Sequence, residues 1–144
     1  MAKKFKFDLQ DILDFRNFEK EQAEAELAKA LAVETEIKNN LQNIASQFIS
    51  LKKTMDGSSN FEDIAAGSTH KKFLEFQKEE LLKQLAQANV VTEEKRAILA
   101  EIMKKTTALE KLKEKQQEGW KEESDKEEEN FIDDLANSGT HFHQ

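Results

Sequence analysis

The amino-acid sequence predicts an all-α protein folded as a long antiparallel two-helix coiled-coil hairpin. Two observations support this fold class. The 144 residues are 35% charged and rich in Ala, Glu, Lys and Leu, with no proline and only four glycines, a composition typical of long helices. Apolar residues also recur with helical spacing along both halves of the chain. Strand-rich folds need many turns made from Gly or Pro, and this chain has too few of these residues.

The first helix is predicted over residues 5–56 by a heptad pattern. Alternate steps of four and three residues from Leu9 reach fourteen positions, of which eleven are apolar. This period of 3.5 residues is typical of a seam along which one helix packs on another. The seam positions are Leu9, Leu13, Arg16, Lys20, Ala23, Leu27, Ala30, Glu34, Ile37, Leu41, Ile44, Phe48, Leu51 and Met55. Since one helix cannot bury its own seam, a partner helix is required.

The middle of the chain is predicted to contain a hinge at about 57–68. The run Asp-Gly-Ser-Ser-Asn at 56–60 has strong turn chemistry, and Gly67 with its two successors adds a weaker interruption. Between these two breaks a short helical turn is expected. The hinge would fold the second half of the chain back on the first, placing Thr69 near Met55.

The second helix is predicted at about 69–136, and residues 137–144 are expected to form a flexible C-terminal tail. Residues 1–136 would then be one hairpin domain. Helix 2 has apolar positions at Phe73, Leu74, Leu81, Leu85, Ala88, Val91, Ile98, Leu99, Ile102, Leu109 and Leu112. The polar residues Thr92, Lys95 and Thr106 interrupt this stripe.

Helix 2 is expected to extend past the start of helix 1. Trp120 would still face Phe5 and Phe7, but Phe131, Ile132 and Leu135 would have no partner helix. Twelve of the eighteen residues at 113–130 are charged, so this stretch cannot form a core alone. The last three apolar side chains should therefore be exposed, which usually marks an interaction site.

Composition excludes several functions. The net charge of −7 argues against a nucleic-acid partner, and the scattered glycines form no phosphate-binding loop. There is no cysteine, no membrane-spanning apolar run and no secretory signal, which favours a soluble intracellular protein. His141 and His143 lack further metal ligands, and the acidic run at 122–129 lacks a sheltered cleft. We expect no enzyme activity, no metal and no cofactor.

Both ends of the chain resemble the flagellar export protein family FliJ. At the N-terminus the resemblance rests on Phe5-x-Phe7-x-Leu9-Gln10-x-Ile12-Leu13-x-x-Arg16 and on the Glu/Ala-rich run from Glu19 to Ala32. At the C-terminus, Glu129-Asn-Phe-Ile-Asp133-Asp134-Leu-Ala136 is similar to the acidic ending of that family. The chain length, the mid-chain hinge and the lack of proline are also similar to those of that family.

The resemblance implies a fold like the central-stalk coiled coil of rotary ATPases and a role in flagellum biogenesis, motility and chemotaxis. FliJ-type proteins are non-enzymatic components of the type III export apparatus, cytoplasmic and peripheral to the inner membrane at the flagellar base. The end with both termini docks in a hexameric export ATPase and promotes its assembly. The region nearer the hairpin tip contacts the cytoplasmic domain of the membrane export gate. The family also binds export chaperones.

The resemblance also implies which residues of this chain bind the two partners, at the positions that match the pattern of the family. The resemblance implies ATPase contacts at Phe5, Leu9, Leu13, Arg16, Phe131 and Leu135. It implies gate contacts at Asn40, Ile44, Gln47, Leu51, Phe73, Gln77 and Glu80, although the chain lacks the tyrosines that the family carries on that face. The free protein is expected to be a monomeric hairpin without membrane insertion.

Three alternatives stay open on the residues alone. Both seams could pack between chains in a homo-oligomeric coiled-coil scaffold. Lys3, Lys4 and Lys6 alternate with Phe5 and Phe7 in a way that would suit a membrane-surface helix. A helical secretion chaperone would have a similar composition.

Overall fold

The structure is a computed structural model that describes residues 4–142, with the backbone alone for residues 140–142. It contains two helices, α1 (Gln10–Asp56) and α2 (Phe61–Phe142), and no strand within residues 4–142. The two helices pack against each other, which confirms the predicted all-α hairpin. No helix in this part of the chain has a segment long and apolar enough to cross a membrane.

The chain divides into two compact packing units. The terminal unit comprises Met1–Lys20 and Glu101–Gln144, and the central unit comprises Glu21–Ala100. Each unit combines a stretch of α1 with a stretch of α2. The two candidate interaction surfaces fall in different units.

Helix α1 begins five residues later than the sequence suggested. Residues 4–7 have no regular structure, and the helix follows a turn in which the Gln10 N–H donates to the Phe7 carbonyl at 3.1 Å. Phe7 is only 4% exposed. In a continuous helix, residues two apart lie about 200° apart around the axis, so Phe7 would point away from the Leu9 side. The turn removes this constraint and lets Phe7 be buried.

The connection between the helices is shorter than the predicted hinge, because α2 begins at Phe61. Asn60 is the N-cap: its Oδ1 accepts a hydrogen bond from the Glu62 N–H at 3.0 Å, and its carbonyl accepts one from the Ile64 N–H at 3.1 Å. Glu62 and Asp63 place negative charge in the first turn, where the helix dipole favours it. This local chemistry makes residues 61–68 helical rather than part of the hinge.

Gly67 does not interrupt α2, as the sequence suggested, but brings the two helices close together in the central unit. It is buried, and a Cβ at this position would lie 2.8 Å from Met55 Cγ and 3.0 Å from Met55 Sδ. None of the described glycines has a positive φ, so Gly67 is helical in conformation. Its role is to leave room for Met55. The contact lies two residues from the predicted neighbour, Thr69.

The heptad seam predicted for α1 is confirmed. All fourteen positions are buried or half-buried, including the polar Arg16, Lys20 and Glu34. Five of them are buried, each no more than 8% exposed: Leu13, Ala23, Ala30, Ile37 and Ile44.

The seam of α2 differs from the predicted apolar stripe. Thr92 and Thr106, which were expected to interrupt it, are each only 2% exposed. Their hydroxyl groups donate to the carbonyls of Ala88 at 3.0 Å and Ile102 at 2.8 Å, so no hydroxyl is left unpaired in the seam. Four residues expected in the stripe are instead exposed on its flank: Phe73, Val91, Ile98 and Leu112.

Helix α2 also continues through most of the predicted C-terminal tail, as far as Phe142. No proline stops it, and Gly139 takes no positive φ that would end the helix. His143 and Gln144 lie outside the described residues, and the flexibility of residues 137–144 stays a prediction.

The close approach at Gly67 predicts a difference between two glycine-to-alanine substitutions. Gly119→Ala, where nothing lies within 4 Å of the new Cβ, should stabilise the protein by up to about 1 kcal/mol through helix propensity. Gly67→Ala gains the same helix propensity, but its new Cβ must displace Met55. This variant should therefore be less stable than Gly119→Ala by about 1 kcal/mol. Thermal unfolding followed by circular dichroism measures both. Equal stabilisation by the two variants would contradict the close approach.

Candidate interaction surfaces

In the terminal unit, an aromatic contact joins the N-terminal segment to α2. The rings of Phe5 and Trp120 lie with centroids 6.1 Å apart and planes tilted by 54°, a favourable aromatic geometry. This agrees with the prediction that Trp120 faces Phe5. An open groove beside the contact is lined from the N-terminal side by residues including Lys6 and from α2 by Lys113 and Gln117.

The six residues assigned to the ATPase end have different environments. Leu13 is 4% exposed and belongs to the seam, so it is not available to a partner in this conformation. Phe5 and Leu9 are half-buried. Arg16 Nη1 forms an ion pair with Glu19 Oε2 at 3.1 Å, and both side chains are about 30% exposed (29% and 28%).

Exposed apolar side chains of α2 form the accessible part of this end. Phe131, Ile132 and Leu135 are 63%, 59% and 57% exposed, as predicted for a helix without a neighbour. Residues 121–134 around them carry eight acidic and only two basic side chains. We call this surface the acidic apolar face. Its exposed apolar side chains and negative charge are complementary to apolar pockets within basic surroundings.

Two further exposed aromatics of the terminal unit were missed by sequence reasoning. Phe15 and Phe18 lie on α1, and each is 56% exposed. They do not belong to the heptad seam, and the heptad pattern indicates only buried positions. Their spacing of three residues, which places neighbours on one helix surface, was the signal available in the sequence.

The central unit has an open groove between α1 and α2, with a volume of about 410 Å³. It brings together five of the seven residues assigned to the gate end: Asn40, Ile44, Gln47, Gln77 and Glu80. Ile44 is 6% exposed and forms part of the floor. We call this feature the central groove.

The other two gate-end residues lie outside the central groove. Leu51 is half-buried and lines a neighbouring depression together with Gln47 and His70. Phe73 is 54% exposed and stacks on His70, with ring centroids 6.4 Å apart and planes at 23°.

Sequence reasoning missed Phe76, the aromatic residue that lines the central groove. Its side chain is 61% exposed. It follows Phe73 by three residues, a spacing that keeps both on neighbouring helix surface. Asn43, Leu81 and Gln84 complete the lining. None of these three was assigned to the gate end, although Leu81 was expected in the apolar stripe of helix 2.

The ion pairs among the described residues are few and local, and no metal-binding cluster is found between residues 4 and 139. The ion pairs there, such as Lys83 Nζ to Glu80 Oε1 at 3.5 Å, join residues three apart on one helix. Such pairs contribute little to stability. No group of three His, Cys, Asp or Glu side chains between residues 4 and 139 could hold a metal ion. The chemistry offered by both surfaces is that of recognition through apolar contact, charge and hydrogen bonding.

Comparison with known proteins decides the family. A family model described as Flagellar FliJ protein matches residues 5–141. The chain belongs to the FliJ family. It is therefore a flagellar export-related coiled-coil protein, and the family is a non-catalytic component of flagellar export. No curated protein and no solved structure gives a significant match to this FliJ-family chain.

The aromatic contact of the terminal unit predicts a fluorescence change. Trp120 is the only tryptophan, so its emission reports on the contact with Phe5. Phe5→Ala should shift the emission to longer wavelength, because water then reaches the indole ring. Phe18→Ala removes an exposed ring elsewhere on the same unit and should leave the spectrum unchanged. An identical spectrum for Phe5→Ala and the unmodified protein would contradict the contact.

Proposed function

We propose that this FliJ-family protein is a non-enzymatic stalk that links two parts of the flagellar type III export apparatus. Its terminal unit docks in the ring of the hexameric export ATPase and promotes the assembly and activity of that ring. Its central unit contacts the cytoplasmic domain of the membrane export gate. The observation that carries this proposal is the presence of two surfaces with different chemistry in two different units.

The acidic apolar face supports the ATPase part of the proposal. Phe131, Ile132 and Leu135 are more than half exposed on a helix that no other part of the described chain covers. Their acidic surroundings favour association with a basic surface and raise its rate at low salt. Phe15 and Phe18 add exposed aromatic area in the same unit, and aromatic residues often dominate binding energy.

The central groove supports the gate part. It combines a buried aliphatic floor at Ile44 with an exposed aromatic side chain, Phe76. An apolar floor beside an exposed ring is the usual site of an anchoring side chain from a partner.

The proposal places the protein in the cytoplasm, associated peripherally with the inner membrane at the flagellar base. The free protein would be a monomeric hairpin, and binding of export chaperones is part of the same proposal. Neither nucleic acid nor direct membrane insertion is involved. A stiff packed helix pair in a symmetric ring makes the ring subunits inequivalent, which can bias their assembly or sequential hydrolysis.

Two sets of variants separate the two partners. The double variant Phe131→Ala/Leu135→Ala should weaken binding to the export ATPase at least tenfold and abolish stimulation of hydrolysis at low ATPase concentration. It should leave binding to the gate domain unchanged. Phe76→Ala should weaken binding to the gate domain and leave binding to the export ATPase unchanged. Interferometry with each purified partner and a coupled hydrolysis assay measure these effects.

Val33→Ala is the matched control, because it shortens an exposed apolar side chain that does not line the central groove. It should change neither interaction. If the unmodified protein alters neither hexamerisation nor hydrolysis of the ATPase, the stalk proposal is wrong. Self-association at micromolar concentration would favour the homo-oligomeric scaffold instead.

A further inference from the structure

The central groove is poor in charge although the chain as a whole is highly charged. Residues 39–51, the part of α1 that lines the groove, contain no Asp, Glu, Lys or Arg, whereas 35% of the whole chain is charged. On the α2 side, four of the nine residues at 76–84 are charged. Among the described residues that line the groove, Glu80 alone is charged, and it pairs with Lys83. Depletion of charge is typical of the core of a protein interface. The groove is thus suited to an uncharged occupant.

Carboxamide side chains replace the charges around this groove. Five of them line it: Asn40, Asn43, Gln47, Gln77 and Gln84. None of the five makes a hydrogen bond to any residue in the described part of the chain. Each amide offers two N–H donors and one carbonyl acceptor. A partner that covers the groove must supply both acceptors and donors, because covered amides without hydrogen bonds cost binding free energy.

The spacing of the carboxamides matches a short stretch of extended chain. Asn40 and Gln47 lie seven residues apart on α1, and Gln77 and Gln84 lie seven apart on α2. Seven residues of helix rise by about 10 Å. An extended chain covers that distance with about three residues. The apolar floor between the two rows is formed by Ile44 and Leu81.

A helical occupant would use these amides poorly. The backbone N–H and C=O groups of a helix are already paired within the helix, so it could offer the amides only its side chains. An extended segment has unpaired backbone N–H and C=O groups along both sides. These groups can form hydrogen bonds with the carboxamides of α1 on one side and of α2 on the other, because each carboxamide both donates and accepts.

We propose that the central groove binds an extended, uncharged segment of the cytoplasmic domain of the export gate by its main chain. Carboxamides of both helices pair with the backbone N–H and C=O groups of that segment. One apolar side chain of the segment sits on Ile44 and Leu81 against Phe76. This inference rests on the proposed function, because it takes the gate domain as the partner.

The test uses the full-length protein and the purified cytoplasmic domain of the gate protein from the same organism. Gln47→Glu and Gln77→Glu keep the side-chain shape but remove the amide donors and add charge. Each should raise the Kd about five- to tenfold, the range of one or two lost hydrogen bonds. Raising the salt concentration from 50 to 300 mM should change the unmodified Kd by less than about twofold, because few charges take part.

Two controls make the same chemical change at exposed positions that do not line the groove. Gln42→Glu is the control on α1, and Asn89→Asp is the control on α2. Both should keep the Kd within twofold of the unmodified protein. Circular dichroism of all four variants should be equal, which separates lost binding from lost folding.

Nuclear magnetic resonance supplies the direct readout. With the FliJ-family chain labelled, the side-chain NH₂ signals of the five carboxamides should shift when the gate domain binds. With the gate domain labelled, its bound segment should give extended rather than helical Cα shifts. If the gate domain binds but these amides do not shift, or the bound segment is helical, the inference fails while the proposed function stands. Absence of any binding would overturn both.

Discussion

Burial of the heptad seam of α1 against α2 is the constraint on which the rest of the structure depends. Every fourth and third residue of α1 is committed to that seam, including the polar Arg16, Lys20 and Glu34. A helix cannot cover its own apolar residues, and isolated helices in water are marginal even with good helix formers, so each helix of the hairpin is stabilised by packing on the other. The seam therefore also decides which side chains remain for partners. Leu13 and Ile44 are largely removed from solvent, and the exposed aromatics lie on the flanks.

The sequence predicted the seam of α1 well and the seam of α2 less well, for a physical reason. Periodicity detects apolar residues, and α1 has them at most seam positions. On α2, Thr92 and Thr106 occupy the seam because each hydroxyl group bonds to a carbonyl of its own helix. A polarity pattern cannot show that pairing. The sequence also could not show why residue 67 is a glycine. Gly67 lacks a side chain because Met55 packs closely against it, and not because the chain turns there.

The sequence grouped most of the residues assigned to the gate end correctly in space, but it did not identify all the residues that line the central groove. Five of the seven positions assigned to the gate end line one groove, but the exposed ring there belongs to Phe76 rather than Phe73. Residues three apart on a helix, such as Phe73 and Phe76, differ in direction by only about 60° around the axis. Sequence spacing alone does not show which of the two lines the groove. The charge contrast was present in the sequence throughout: residues 121–134 are strongly acidic, whereas 39–51 carry no charge. Its meaning depends on knowing which of these residues face solvent.

The pairing of the seam within one molecule is tested most directly by cross-linking in the cysteine-free chain. Cysteines replace Lys4 and Lys121, two exposed residues that flank the Phe5–Trp120 contact. A short thiol-to-thiol reagent is applied to an equal mixture of ¹⁴N- and ¹⁵N-labelled protein, and the linked peptides are weighed by mass spectrometry. Pairing within one chain gives linked peptides that are either both light or both heavy. Mixed light–heavy pairs at the statistical proportion would show that the seam is covered by another copy, and would contradict the hairpin.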